Sequence, residues 1–279
     1  MRSDFQTKTP FARTALAIKE AFHAVGLGAL VKNLLRQAGF ELRYVGPVTS
    51  AESSPDLAYA QVWPFATYSP WLTDADFRRT YDAIKHHTLA DHYLCYDLWQ
   101  LVGEAAKLDR GDLIEIGAWR GGTGCVIARR SELSGIGNTV YLCDTFKGVV
   151  KAGEFDTHYF GGEHADTSPE IVRELVQRLG LTNVQLLVGV FPEETGCLVE
   201  DRKFRFCHLD VDVYQSAADV VEWIWPRLLT GGLIVFDDYG FKGCEGVTRF
   251  VNEQRLKPDR LVFHNLNGHA VSIKQDFHT

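Results

Sequence analysis

The chain predicts an α/β fold with a mostly parallel, seven-stranded sheet and helices on both faces, preceded by a helical N-terminal extension. Two observations carry this. From residue 111 onward, short apolar runs alternate with helical stretches, the pattern of βαβ units. Near the end, Asn267-Gly268 stands between two apolar runs, a strong hairpin turn signal.

The first 40 residues are the helical part. Leu16, Ile18, Phe22, Val25, Leu30, Leu34 and Leu35 recur at roughly helical spacing over 11–40. Gly26 and Gly28 divide this stretch in two. A turn-rich linker follows, from Gly46-Pro47 to Ser53-Ser54-Pro55. The expected organisation is therefore an extension over residues 1–58 and a main domain over 59–279. Residues 59–110 of that domain form an aromatic segment (59–71) and two helices, near 74–87 and 89–107. Thr73 or Asp74 is the expected N-cap of the first helix.

Five strands are then expected, at 112–117, 139–144, 184–188, 205–210 and 232–237. The helical stretches between them lie near 122–134, 168–180, 193–200 and 214–229. Leu261–His264 and His269–Lys274 make the closing hairpin.

Composition sets limits. The 279 residues are 46% hydrophobic and 23% charged, enough for a sizeable core. The net charge of -7 argues against a nucleic-acid partner, which would call for a basic patch. No apolar run approaches the ~20 residues of a membrane span, and the first residues lack a signal-peptide pattern. The six cysteines form no CxxC pair and read as buried free thiols in a reducing cytosol, so a cytoplasmic protein without a membrane partner is expected. The apolar face of the N-terminal helices offers a surface for homo-oligomer formation.

Two constellations point to chemistry. Glu115-Ile-Gly-Ala-Trp-Arg-Gly-Gly-Thr-Gly124 follows the first strand and opens a helix, where glycines let a ligand approach the backbone. Its spacing does not match GxGxxG, and it lacks the Lys-Ser/Thr of a P-loop. Asp144, at the end of the second strand, stands where an acid bonds ribose hydroxyls. Glu115 beside Gly117 suits a cationic ligand and would repel a pyrophosphate.

The second constellation is His208-Leu-Asp210-Val-Asp212-Val-Tyr214 together with Phe236-Asp237-Asp238-Tyr239. Both acid pairs fall at the C-terminal ends of predicted strands, where open α/β sheets bind ligands. Converging carboxylates repel one another unless protons or a cation neutralise them. Hard oxygen donors without cysteines favour Mg²⁺ or Ca²⁺ over zinc. The plainer alternative is that single acids of these pairs cap helix starts. His158 and His164 read as solvated loop residues, and His208 as a strand histidine beneath the site. Trp63, Phe65, Tyr68 and Trp71 either stack on a ligand or pack against the helices that follow.

Five blocks, in order, resemble the macrocin O-methyltransferase family. They are Gly111-Asp-Leu-Ile-Glu-Ile-Gly-Ala-Trp-Arg-Gly-Gly122, Asp144-Thr-Phe-Lys-Gly148, Leu209-Asp-Val-Asp-Val-Tyr-Gln-Ser216, Pro226-Arg-Leu-Leu-Thr-Gly-Gly232 and Asp237-Asp-Tyr-Gly240. The likeness runs from about residue 64 to 251. It implies a class I methyltransferase (Rossmann-like) fold, S-adenosyl-L-methionine and Mg²⁺ as cofactors, and methylation of a hydroxyl on a sugar-containing small molecule from natural product biosynthesis.

Carried over by motif, Glu115, Gly117, Gly122, Asp144, Thr145 and Phe146 would hold the cofactor, and Tyr68 and Ser69 lie in the segment that covers it. Asp210, Asp237 and Asp238 would hold the metal. Asp212, with Asp210 beside it, would be catalytic, and Asp212 is the candidate base. Val149 replaces the family's usual proline, Phe191-Pro-Glu-Glu194 replaces its Phe-x-Asp-Thr, and Lys151–Thr167 differs from its lid. The resemblance therefore does not name the acceptor. Two other readings stay open on the sequence: an NAD-dependent sugar-modifying enzyme on a doubly wound fold, and a noncatalytic binding protein that kept the methyltransferase fold. The absence of a two-His-one-carboxylate pattern counts against a metal-dependent hydroxylase-type relative.

Overall fold

Side-chain parity along five apolar strands sorts the core into two halves. In the computed structural model, residues 66–276 are described, together with Leu35, Thr49, Ser50, residues 57–60 and Val62. The strands are β1 (Asp112–Ile116), β2 (Val140–Asp144), β3 (Val184–Val188), β4 (Phe204–Leu209), β5 (Leu228–Phe236), β6 (Arg260–His264) and β7 (Ala270–Lys274). The helices are α1 (Ala75–Ile84), α2 (His92–Ala105), α3 (Gly122–Leu133), α4 (Pro169–Arg178), α5 (Tyr214–Ile224) and α6 (Glu245–Gln254).

Leu113, Leu142, Phe206 and Val235 face one side of the sheet and pack with α1 to α4. Ile114, Tyr141, Cys143, Cys207, Ile234 and Phe236 face the other and pack with α5 and α6. This alternation is the period of two that a strand imposes. The strands buried on both faces read as nearly continuous apolar runs, as parallel strands under helices do.

The strand order is β3-β2-β1-β4-β5-β7-β6. β1 to β5 run parallel, and β7 returns antiparallel beside β5 and pairs with β6. The sheet is the mostly parallel, seven-stranded one expected. The order reverses between β1 and β4, where open α/β sheets leave a crevice beyond the strand ends. No helix among the described residues is long and apolar enough to cross a membrane.

Capping accounts for several boundaries. Asp74 is the N-cap of α1: its Oδ1 accepts from Phe77 N at 2.9 Å, and its Oδ2 accepts from Trp99 Nε1 at 3.0 Å, tying α1 to α2. Asp91 caps α2 and Ser168 caps α4. α5 stops at Ile224 because Trp225-Pro226-Arg227 tighten into a 3₁₀ turn, so β5 begins at Leu228 rather than 232. Between the pairs Phe204–Leu228 and Phe206–Leu233 the register shifts, which absorbs the extra residues around Gly231.

The helix expected near 193–200 is instead a 3₁₀ turn, Gly196–Val199. Helix α6 is an element that sequence reading missed; Val247, Phe250 and Val251 form its buried stripe. The helical extension expected over 11–40, most of the linker, and Trp63 and Phe65 lie outside the described residues. Trp71 is a packing residue, edge-on to Tyr93 at 5.1 Å and Tyr96 at 5.8 Å.

Candidate active site

The C-terminal ends of β1, β2, β4 and β5 open into a cavity of about 430 Å³. Gly117, Asp144, Asp210, Asp212, Asp237 and Asp238 all line it. The pairing sets this convergence. Asp210 N donates to Ile116 O at 2.9 Å, and Asp237 N donates to Leu209 O at 3.0 Å, so both acids sit one residue past their strands at neighbouring tips.

The glycine loop forms one wall. Gly117 has φ +96° and passes directly over the Asp210 carbonyl. Trp119 follows with φ +44°, and α3 begins at Gly122, whose N–H donates to His87 O at 3.0 Å. Asp144 holds this loop in place: its Oδ2 accepts from Trp119 N at 2.7 Å and its Oδ1 from Phe146 N at 2.6 Å. Burial pushes the Asp144 carboxyl above its usual range, against the pull of these N–H donors.

The acid cluster is electrostatically crowded. Burial first, and then Asp237 and Asp238, push Asp210 far up. Burial, Asp212 and Asp237 do the same to Asp238. Burial raises Asp212 while Tyr159 and His164 pull it down. Asp237 goes the other way: burial would raise it, but a hydrogen bond from His269 and that residue's charge hold it low, and it also takes a hydrogen bond from Asp210. Asp212 adopts φ +63°, a strained conformation for a non-glycine residue, and its N–H donates to Asp238 Oδ2 at 2.9 Å. The Cys244 thiol lies 3.6 Å from Asp238 Oδ1.

A buried polar row runs beneath the acids on the α1–α4 side. Glu115 and His208 are opposite one another on β1 and β4, both fully buried, with His208 Nδ1 and Glu115 Oε1 at 2.8 Å. Next come Asp237, His269 and Asp97. His269 Nε2 meets Asp237 Oδ1 at 2.9 Å, and its Nδ1 meets Asp97 Oδ2 at 2.6 Å. Burial alone would lower His269, but the two carboxylates outweigh it and bring it up to about 9. His208, Asp237 and His269 offer donor atoms within 4.8 Å of one another, a two-His-one-carboxylate grouping that the sequence was expected to lack and that forms because β4, β5 and β7 are neighbours in the sheet. Between two carboxylates, which only accept, the His269 ring donates from both nitrogens, so its Nε2 carries a proton rather than a free lone pair.

The loop from Lys151 to Thr167 contains no helix or strand and forms the far wall. Tyr159 and His164 line the cavity, whereas the side chain of His158 is exposed. Asp166 clamps this loop to the glycine loop: Trp119 Nε1 donates to its Oδ1 at 3.0 Å and Arg120 to its Oδ2 at 2.6 Å. Asp156 reaches back from the loop to accept from Tyr214 N at 3.0 Å, at the start of α5.

Of the residues expected to hold a cofactor, Gly117, Asp144 and Thr145 are on the cavity surface. Glu115, Gly122 and Phe146 stand behind it. Tyr68 and Ser69 do not cover the cavity: Tyr68 is 82% exposed, and the Ser69 hydroxyl turns to its own Thr67 carbonyl at 3.2 Å. The sequence reading missed His269, Asp97 and Tyr159. The first two meet only because β7 returns beside β5, 172 residues after Asp97.

The family profile described as macrocin-O-methyltransferase (TylF) matches residues 100–266. The 8-demethyl-8-(2,3-dimethoxy-alpha-L-rhamnosyl)-tetracenomycin-C 4'-O-methyltransferase of Streptomyces olivaceus is 34% identical over 147 residues, 48% of this chain and 55% of that protein. The mycinamicin III 3''-O-methyltransferase of Micromonospora griseorubida is 29% identical over 166 residues, 54% of this chain and 64% of that protein. The match thus spans less than two thirds of either relative. Among solved structures, the O-methyltransferase NovP superposes with a TM-score of 0.57 at 24% identity, covering 68% of this chain and 83% of that one, which shows the class I methyltransferase fold. The profile spans β1 to β6 and every acid on the cavity wall, and on that ground the chain belongs to the macrocin-O-methyltransferase family.

Proposed function

We propose that the protein is an S-adenosyl-L-methionine- and Mg²⁺-dependent O-methyltransferase acting on a hydroxyl of a sugar or glycosylated small molecule. The observation that carries this reading is the gathering of Asp210, Asp212, Asp237 and Asp238 in the same cavity as Asp144 and Gly117. The names of the relatives, which methylate sugar-bearing natural products, support the acceptor class. The carboxylate oxygens suit a hard dication, with the Cys244 thiol beside Asp212 and Asp238, because a cation offsets the burial and mutual repulsion that drive Asp210 and Asp238 so far up.

In this reading Asp210, Asp237 and Asp238 would hold the metal, which would supply Lewis-acid activation of the acceptor hydroxyl. Asp212 takes the hydroxyl proton. S-adenosyl-L-methionine would supply the methyl group to that oxygen, the electron pair of the broken carbon–sulfur bond returning to the sulfonium sulfur. Asp144 would receive the ribose hydroxyls, and the glycine loop would line the rest of the cofactor's place. Asp166, through Trp119 and Arg120, holds the far wall against that loop and helps exclude water. The division into an extension over 1–58 and a methyltransferase domain over 59–279 belongs to the same proposal. All six cysteines are free thiols, five of them buried, which supports a reducing compartment.

The test is methyl transfer from labelled S-adenosyl-L-methionine to a panel of glycosylated metabolites and nucleotide sugars, with Mg²⁺. Label in an O-methyl sugar is the expected result; no transfer to any hydroxyl, with NAD found bound instead, would overturn the reading.

Asp144→Asn is expected to weaken S-adenosyl-L-methionine binding by about 10- to 100-fold in calorimetry, because it removes a charged acceptor worth about 1.5–3 kcal/mol and sets an amide donor against the N–H of Trp119 or Phe146, loosening the glycine loop as well. The ribose hydroxyls donate to the ionised form. Since burial raises this carboxyl, wild-type affinity should fall as pH drops through a value above the ordinary aspartate range. An affinity flat with pH, and untouched by the substitution, would place the ribose elsewhere.

A further inference from the structure

Asp237 is the one acid of the cluster with a histidine on its carboxylate, and that histidine enters at the start of β7. His269 is fully buried and stands where β7 begins, next to Ala270, which pairs with Phe236. Its ring is caught at both ends, by Asp237 Oδ1 at 2.9 Å and Asp97 Oδ2 at 2.6 Å. Asp97 belongs to α2 and is itself steadied by Asn265 Nδ2 at 2.6 Å. Asn265 also accepts from His269 N at 3.1 Å and from Asn267 N at 2.9 Å, so the hairpin turn, the histidine and α2 form one hydrogen-bonded unit.

We propose that His269, backed by Asp97, is a positioning residue that fixes the Asp237 carboxylate and presents its second oxygen to the divalent cation. The inference rests on the metal reading above and concerns only how this chain prepares one ligand. A carboxylate that ligates a metal is itself held by hydrogen bonds, and loss of such a partner typically costs 10- to 100-fold in metal affinity. The ring fixes the Asp237 carboxylate in one rotamer, and Asp97, at the other end of the ring, fixes the ring. Removing His269 would leave the buried Asp237 Oδ1 without that partner and the carboxylate free to turn.

The experiment measures Mn²⁺ binding to the full chain by electron paramagnetic resonance, with S-adenosyl-L-methionine affinity by calorimetry as a check on the fold. His269→Leu is expected to weaken Mn²⁺ binding by about 10- to 100-fold while cofactor affinity stays within about threefold. His269→Gln, whose amide donates to Asp237, should recover part of the loss, which a purely space-filling role would not produce. Asp97→Asn, at a partly exposed position that does not touch the cation, should weaken Mn²⁺ binding by about tenfold and decides the question if His269→Leu does not fold. Wild-type Mn²⁺ affinity in folded His269→Leu, or in Asp97→Asn where the leucine variant does not fold, overturns the inference alone. Absence of Mn²⁺ binding in the unaltered protein removes the metal reading and the inference with it.

Discussion

Asp210→Asn is expected to lower methyl transfer by at least about 10³-fold and, at the same time, to raise thermal stability at pH 7. The two effects share one cause. Asp210 lies buried among Asp237, Asp238, Asp212 and Glu115, and its carboxyl is driven far above the usual range. Its folded pKa therefore exceeds the unfolded one. Ionising it costs stability as pH rises past the unfolded value, and an asparagine carries no such cost. The backbone bond from Asp210 N to Ile116 O is kept, and the side chain is nearly isosteric, so the strand tips stay in place. The catalytic loss follows from the removal of a metal ligand, since metal activation of a hydroxyl contributes several kcal/mol and each ~1.4 kcal/mol is about tenfold in rate. Cofactor affinity, set on β1 and β2, should change little. In the unaltered protein a chelator should stop turnover, and Mg²⁺ should restore it. Retained activity in Asp210→Asn, or full turnover in chelator, would sink the metal reading. Calorimetry showing lost cofactor binding would mean the cavity is divided differently.

The parts legible in the sequence are those decided locally. Strand β2 and helices α3 and α4 fall within two residues of their expected bounds because apolar periodicity and caps such as Ser168 act over a few residues. The placement of Asp210 and Asp237 at neighbouring tips was also legible, because consecutive strands of such a sheet pair. Helix α6 was not. Its buried stripe of Val247, Phe250 and Val251 is short, and its N-cap, Cys244, makes no side-chain capping bond. The turn at Gly196–Val199 read as helix because a local pattern does not separate one 3₁₀ turn from a short α-helix. Residues 66–69 were placed over the cofactor by likeness alone, and Tyr68 instead points to solvent. His269 marks the deeper limit. Nothing within ten residues of it hints at Asp237 or Asp97; the contact exists because an antiparallel strand inserts between β5 and β6 and brings its start to the tip of β5.

Gly117→Ala is expected to be among the most destabilising single-methyl additions in the chain. A Cβ at this position would lie 1.6 Å from the Asp210 carbonyl oxygen and 2.7 Å from its carbon, and the residue also holds φ +96°. Neither obstacle can yield cheaply. The obstructing atoms are backbone, and they are tied by the hydrogen bond from Asp210 N to Ile116 O that closes β4 against β1. Overpacking costs about 1–3 kcal/mol, and a left-handed conformation in a non-glycine residue adds about 1–3 kcal/mol. At roughly 2–4 °C per kcal/mol for a domain of this size, the melting temperature should fall by about 5–20 °C. Gly180→Ala separates the two terms, because Gly180 has φ +64° and nothing within 4 Å of its Cβ position, so it bears only the conformational part. If the two variants melt together, the close approach of the glycine loop to β4 is not what requires glycine. If Gly117→Ala falls well below Gly180→Ala, the same approach that admits the cofactor to the loop also sets where Asp210 stands. Folded Gly117→Ala should then lose cofactor and Mn²⁺ affinity together, whereas Asp144→Asn should lose only the first.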